Sequence, residues 1–416
     1  MAPPELPIEV QERVVDQLHD DRETLKSCNM VCRTWSWTAR SHYWRTVKLN
    51  NRRDCIRLLS VLEESQRLGT GAGNFVRILQ LPSMGFSTQI PTRAIMRCEL
   101  LRSVMRHLPM VELLHVNGFS ISSLLFHLYC REETSNMQDA ISSIFDFRHL
   151  KVVYCDSLDL FGIGYLPQFI GAFPSVSRIR LRKVTSEGFS PMFNVASIQD
   201  FLASRRKGLI CIQELTMTNC IIPIEQLSEL LETLAAPPFE LQLKRLGWMT
   251  IKRDGKDFLP LLEMMFYGAK ATLEFFQCTL DAGDRWLEHL DPSEHLRLQS
   301  LTLAFRFSRD QPSRWDHIAS FLSKITSTSL HTLAIHLHFH DQLFVQEFLD
   351  WPALIEAVLS LHRKCPSMSL GFRVYYYGKG TMPEVHAPLW TRIAPILAAR
   401  IPVGFYQQKA ILQIRT

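Results

Sequence analysis

The sequence predicts an α/β protein: a small N-terminal unit of three helices over residues 1–50, followed over residues 51–416 by a curved solenoid of parallel strands and helices. Three observations carry that prediction. Residues 6–44, "LPIEVQERVVDQLHDDRETLKSCNMVCRTWSWTARSHYW", carry apolar side chains at helical spacing, interrupted by capping residues. Beyond them a short apolar pattern, L-x-x-L-x-L with substitutions, recurs along the chain. Between its copies the apolar spacing changes from alternate positions to steps of three and four.

A chain of 416 residues exceeds the ordinary domain size of about 100–200, so several domains or a repeat array are expected. Hydrophobic residues at 46% and charged ones at 21% place it with folded globular chains rather than disordered ones. The net charge is only +5, with Lys and Arg scattered, so no nucleic-acid partner is expected. The opening "MAPPELPIEV" lacks the basic-then-apolar order of a signal peptide, and no run reaches the roughly 18 apolar residues of a membrane span. No membrane association is expected, and an intracellular location, cytoplasmic or nuclear, follows. Ten cysteines without a C-x-x-C pair fit a reducing compartment. Cys28 and Cys32 lie four apart with no further ligands at zinc-site spacing, which favours small core residues.

The first helix is expected to start at Pro7, whose missing N–H costs nothing in a first turn, with Glu9 and Glu12 near the positive pole of the helix dipole. Val10, Val14 and Leu18 then form an apolar stripe, extended by Val15. Asp20 and Glu23 have the spacing of a capping box for a second helix carrying Leu25, Cys28 and Met30. Val31, Trp35 and Ala39 share one face of a third, with Trp37 pointing elsewhere. A unit of about 40 residues buries little surface on its own, yet this one holds three of the chain's eight tryptophans. Either it docks on another protein or it caps the domain that follows.

The order Leu6-Pro7-x-Glu9-Val10, the stripe ending at Leu18, then Leu25, Val31-Cys32-Arg33-x-Trp35 and Trp44 followed by Val47 and Leu49 resembles an F-box. The resemblance implies a three-helix module that binds the Skp-family adaptor of Skp–cullin–F-box ubiquitin ligases. It implies adaptor-facing positions at Leu6, Pro7, Val10, Leu18, Leu25, Val31, Cys32, Trp35 and Trp44. Between Ala39 and Trp44 the sequence "RSHYW" is about a residue shorter than usual in the family, which leaves the placement of Trp44 open.

The repeated pattern reads "VRILQL" from Val76, "VELLHV" from Val111, "LKVVYC" from Leu150, "VSRIRL" from Val176 and "IQELTM" from Ile212. It continues as "LKRLGW" from Leu243, "LEFFQC" from Leu273, "LQSLTL" from Leu298, "LHTLAI" from Leu330 and a weaker "SMSLGF" from Ser367. Helical spacing fills the intervals in "IMRCELLRSVMRHL", "IEQLSELLETL", "FLPLLEMMFYGA", "WDHIASFLSKI" and "ALIEAVLSLHRKC". Strand followed by helix, repeated, makes parallel strands that are stabilised by stacking. From Leu79 to Leu370, 291 residues in nine steps, the period is about 32. This region resembles an irregular leucine-rich repeat in which the consensus Asn is mostly missing. A doubly wound sheet is the structural alternative. An F-box followed by such repeats is found in large fungal families. The resemblance implies a non-catalytic substrate receptor that links an unknown target protein to a cullin ligase; the alternative is a repeat scaffold whose N-terminal helices only cap it.

Alternation sorts the strands' side chains. "TLAIHLHFHD" is expected to bury Leu333, Ile335, Leu337 and Phe339 and to project His336, His338 and His340. The same parity projects Arg306, and Arg373, Tyr375 and Tyr377, a basic and aromatic candidate for the target-binding face. Arg178, Arg180 and Arg182 would add charge. Three histidines at alternate positions span about 13 Å, too far to share one zinc, so no metal is expected. "GTGAGN" at Gly69–Asn74 lacks the third glycine of a dinucleotide fingerprint, lies between a helix and a strand, and reads as a flexible loop. No nucleophile, phosphate-loop or zinc-hydrolase motif occurs, so neither an enzymatic activity nor a cofactor is expected.

Overall fold

The computed structural model describes residues 7–81, 99–118, 141, 144–160, 164–186, 209–250, 258–281, 286–307, 316–339 and 351–376. The chain divides into two compact units, Met1–Ile212 with Cys220–Glu240, and Gln213–Asn219 with Leu241–Thr416.

The first unit opens with α1 (Ile8–Asp16), α2 (Arg22–Val31) and α3 (Arg33–Tyr43). Pro7 is the residue that caps α1 rather than its first helical residue. The cap of α2 is Asp21, not Asp20: its carboxylate accepts from the Thr24 amide at 3.1 Å and the Thr24 hydroxyl at 2.6 Å. Cys32, extended at φ −157°, separates α2 from α3. Val15, Leu25, Cys28 and Ala39 form a buried core, with Leu18, Trp35 and Tyr43 packed against it. Half-buried Gln11 accepts the Trp35 indole N–H at 2.9 Å. The inward side chains are therefore Gln11 and Val15 of α1 and Leu18 of the turn that follows it. Val10 and Val14 lie about 100° further round and face solvent.

Val47 and Leu49 leave the helical unit and enter the sheet: Thr46–Lys48 is β1. Then come α4 (Arg52–Arg67), β2 (Ile78–Leu81), β3 (Leu113–Asn117), β4 (Val152–Asp156), β5 (Asp159–Leu160), β6 (Arg178–Arg182) and β7 (Thr185–Ser186). β1, β2, β3, β4 and β6 pair in parallel in that order, with Thr46, Ile78, Leu113, Val152 and Arg178 in one cross-strand row. β5 and β7 form a second small parallel pair. The glycine-rich stretch is a packed 3-10 turn, Ala72–Phe75, rather than a flexible loop. Ala72, Gly73 and Phe75 are buried there, and Gly69 and Gly71 supply the left-handed backbone that leads into it.

The second unit takes the middle of β8 (Ile210–Cys220) and, from Leu241 on, β9 (Phe239–Thr250), then β10 (Phe275–Asp281), β11 (Ser300–Phe307), β12 (Thr332–Phe339) and β13 (Ser369–Tyr376). β9 to β13 pair in parallel, each with the next. Helices Leu259–Gly268, Asp316–Ser323 and Trp351–Lys364 return the chain between strands, as the apolar spacing requires. All ten copies of the pattern are strands, the weak one at Ser367 included.

At the leading edge of the strands, main chain ties each repeat to the next. In the first unit the carbonyl of each residue just before a strand accepts two amides of the next repeat. Arg45 takes Arg77 and Ile78, Arg77 takes Glu112 and Leu113, Glu112 takes Lys151 and Val152, and Lys151 takes Ser177 and Arg178, all at 2.8–3.0 Å. In the second unit Glu274 takes Gln299 and Ser300, and Gln299 takes His331 and Thr332. This staircase is made of backbone groups alone and needs no particular side chain.

Candidate functional site

Two kinds of surface come forward: the helical unit and the outward faces of the strands. On the helical unit, Pro7 and Cys32 are exposed, and Val10 and Val31 are 42% and 63% exposed. Leu25 lies in the core instead, and Leu18 and Trp35 are half-buried against it, because α2 and α3 meet α1 on its Val15 side. Trp44 is half-buried, edge-on to Tyr43 at 5.5 Å. Leu6 falls outside the described residues. The resemblance did not single out Ile8, Val14, Met30 and Trp37, which are among the most exposed large apolar side chains of this unit. Their signal in the sequence was position: Met30 sits at the end of α2, beside a break where neighbouring helices cannot cover it.

In the first unit, Arg178 and Arg182 are exposed and Arg180 half-buried, while Ile179 and Leu181 are buried, as alternation requires. The register sets Arg180 beside Tyr154 and Tyr154 beside His115, and the His115 and Tyr154 rings stack at 4.5 Å, 10° from parallel. Asp156, with a side chain only 2% exposed, accepts from the Arg182 guanidinium and from the Ser157 hydroxyl. Burial alone pushes its carboxyl up, but Arg182, Ser157 and nearby His115 together hold it below the ordinary carboxylate range. His115 moves down, chiefly by burial, against the pull of Asp156 at 3.9 Å. At neutral pH the row therefore presents a carboxylate closed by one arginine, a neutral imidazole on a phenol, and further guanidinium groups. The 3.9 Å gap is too long for a hydrogen bond, so Asp156 and His115 act on each other through charge alone. L-x-L parity marks His115, Tyr154 and Asp156 as outward residues and the alignment of the repeat copies sets His115 beside Tyr154, but only the structure shows that their rings stack.

In the second unit, His336 lies between Ala304 and Arg373, and His338 between Arg306 and Tyr375. The register thus gathers the residues that parity selected, at the level of the backbone. Arg306, His336 and His338 are half-buried. Thr279, Thr302 and Ala304, which share the outward parity, are buried at 5%, 8% and 1% exposure. That part of the strand surface is covered, which parity cannot reveal. Leu333 and Ile335 are buried as expected. His340 and Tyr377 lie outside the described residues. Among the described residues no three His, Cys, Asp or Glu side chains gather as a metal would need. No described helix is long and apolar enough to cross a membrane.

No protein-family model matches the chain. No curated protein matches it either. Among solved structures, a crystal structure of a TLR13–ssRNA13 complex aligns over 69% of this chain and 42% of its own, with 13% identity and a TM-score of 0.24. The chain spans less than half of that neighbour's length. At that score the comparison carries no argument, and the fold rests on the strands, helices and registers above.

Proposed function

We propose that the repeat scaffold is a substrate receptor: the helical unit docks on a Skp-family adaptor, and the strand faces hold a target protein for ubiquitin transfer by other subunits. The observation behind this reading is the surface of residues 8–43, where Ile8, Val10, Val14, Met30, Val31 and Trp37 are 42–84% exposed around a core of only four fully buried hydrophobics. Apolar side chains at that density on so small a unit favour a protein partner. The receptor's contribution would be proximity, holding an acceptor lysine near a charged transfer enzyme.

A second reading has its own observation. Trp37 meets Phe75 edge-on at 4.8 Å, and Arg22 donates to the Thr46 carbonyl at 3.1 Å, so the helices also brace the first repeats and could serve only as a cap. Co-purification with the Skp-family adaptor of the same cell separates the two. The intact chain should retain the adaptor. A chain lacking residues 1–43, which keeps β1, and a Val10→Asp/Val31→Asp variant should both lose it. An intact, folded chain that retains none would leave the scaffold as the better account.

A further inference from the structure

Apart from the faces described above, the first unit has a cleft of about 560 Å³ at the leading edge of its strands, where the end of α3 overhangs the sheet. Its floor is apolar: Ile78, Leu113 and Val152, one from each of three successive strands, with Phe75 beside them. Its rim is basic. Arg45, Arg77, Lys151 and Arg178 line it against a single carboxylate, Glu112, leaving an excess of three positive charges. His42, also in the lining, is held by Asp16 at 2.6 Å.

The charges are not mutually spent. Glu112 stands 3.5 Å from Arg77 and 3.6 Å from Lys151, ion-pair distances too long for good hydrogen bonds. Arg77 also donates to the Asn74 carbonyl at 2.7 Å, which fixes it in place. Arg45 and Arg178 are exposed, with no carboxylate within 4 Å among the described residues. The staircase of carbonyls sets the spacing: Arg45, Arg77 and Lys151 each occupy the position before a strand, so they stand in one line across β1, β2 and β4. Three strand intervals at about 4.8 Å make that line roughly 14 Å long.

We infer that this cleft binds an extended acidic peptide segment carrying apolar side chains, with its carboxylates on Arg45, Lys151 and Arg178 and its apolar groups on the floor. With Arg178 on β6, one interval beyond Lys151, the three basic groups span about 19 Å, which matches about six residues of extended chain and exceeds what one phosphate group can bridge. A nucleic-acid strand fits less well. Phe75 is already edged by Trp37, the rest of the floor is aliphatic with no stacking platform for bases, and Glu112 opposes a continuous polyanion. The inference stands whether or not the helical unit recruits a ligase.

The test uses the full chain and a fluorescent decapeptide of alternating Glu and Leu, read by anisotropy. A decapeptide with Lys in place of Glu, inorganic phosphate and a single-stranded RNA decamer serve as competitors. The acidic peptide should bind, weaken severalfold from 50 to 300 mM salt, and resist competition by the other three. Arg45→Ser/Arg178→Ser, which removes two exposed side chains, should weaken binding at least tenfold; Arg53→Ser/Arg57→Ser on α4 should leave it within twofold. The inference is overturned if the Lys peptide binds equally, if Arg45→Ser/Arg178→Ser matches the unmodified chain, or if RNA or phosphate displaces the peptide at equal concentration.

Discussion

At the scale of single residues, buried polar groups set how the molecule responds to its conditions. His295 is fully buried, its Nε2–H donates to the Phe266 carbonyl at 3.0 Å, and its ring lies 3.9 Å from that of Phe266. Burial lowers its pKa from the ordinary 6.5, against the opposing pull of the Phe266 carbonyl, Glu294 and Asp291. The unfolded chain therefore takes up this proton at higher pH than the folded one. The associated stability is complete above about pH 6.5 and is lost as the pH falls through the folded value. Urea unfolding at pH 7.5 and 5.0 should show a smaller loss for His295→Gln than for the native chain; equal losses would place the acid sensitivity elsewhere. Trp35 behaves differently from Val31, though both belong to the F-box resemblance. Trp35→Ala removes a half-buried anchor and its bond to Gln11, and should destabilise the helical unit by about 2–3 kcal/mol. Amide exchange over residues 8–43 should accelerate accordingly, while Val31→Asp, at an exposed site, leaves it unchanged.

At the scale of elements, the turn between α4 and β2 shows how a glycine can be required by neighbours rather than by backbone angle. A Cβ at Gly73 would stand 1.9 Å from the His107 carbonyl oxygen, and backbone there cannot step aside. Gly69 is the converse case, with nothing within 4 Å of its Cβ position but a φ of +68°. Gly73→Ala should cost about 2–3 kcal/mol by overpacking and Gly69→Ala about 1 kcal/mol by conformation, compared by thermal unfolding. A mobile loop would tolerate both. Elsewhere the elements follow their chemistry: α2 begins where Asp21 satisfies Thr24, and α4 where the Asn51 side chain accepts from the Asp54 amide at 3.0 Å.

At the scale of the whole molecule, the helical unit and the first repeats share a strand's worth of chain. β1 gives the sheet an edge, pairs with β2 over Thr46–Lys48, and buries Val47 and Leu49. Truncation before residue 44 should therefore lower the melting temperature modestly, by loss of Trp37 from Phe75 and of Arg22 from Thr46. Truncation before residue 51 also removes β1 and should lower it further; calorimetry on both chains gives the comparison. Equal melting temperatures would mean that β1 adds nothing to the sheet.

The sequence by itself determined that this protein is a strand–helix repeat behind a helical unit. Alternating and three-to-four spacing survive substitution of almost any apolar residue for another, so even the weak copy at Ser367 was legible, as was the outward sense of Arg178, Arg180 and Arg182. It also marked Val10 and Val31 as candidate contacts, though it grouped them with Leu25, which packs inside. Only the tertiary structure decided which side of α1 is the core, because Val10, Val14 and Val15 differ by rotation alone until α2 and α3 arrive. It alone showed the ion pair of Asp156 with Arg182, covered Thr302 and Ala304, and through β1 brought Arg45 into line with Arg77 and Lys151. Register follows the alignment of the repeat copies, whose third residues Ile78, Leu113, Val152 and Arg178 share one row; what no local pattern encodes is how β1, outside the repeated pattern, joins the sheet, and which surfaces later segments cover.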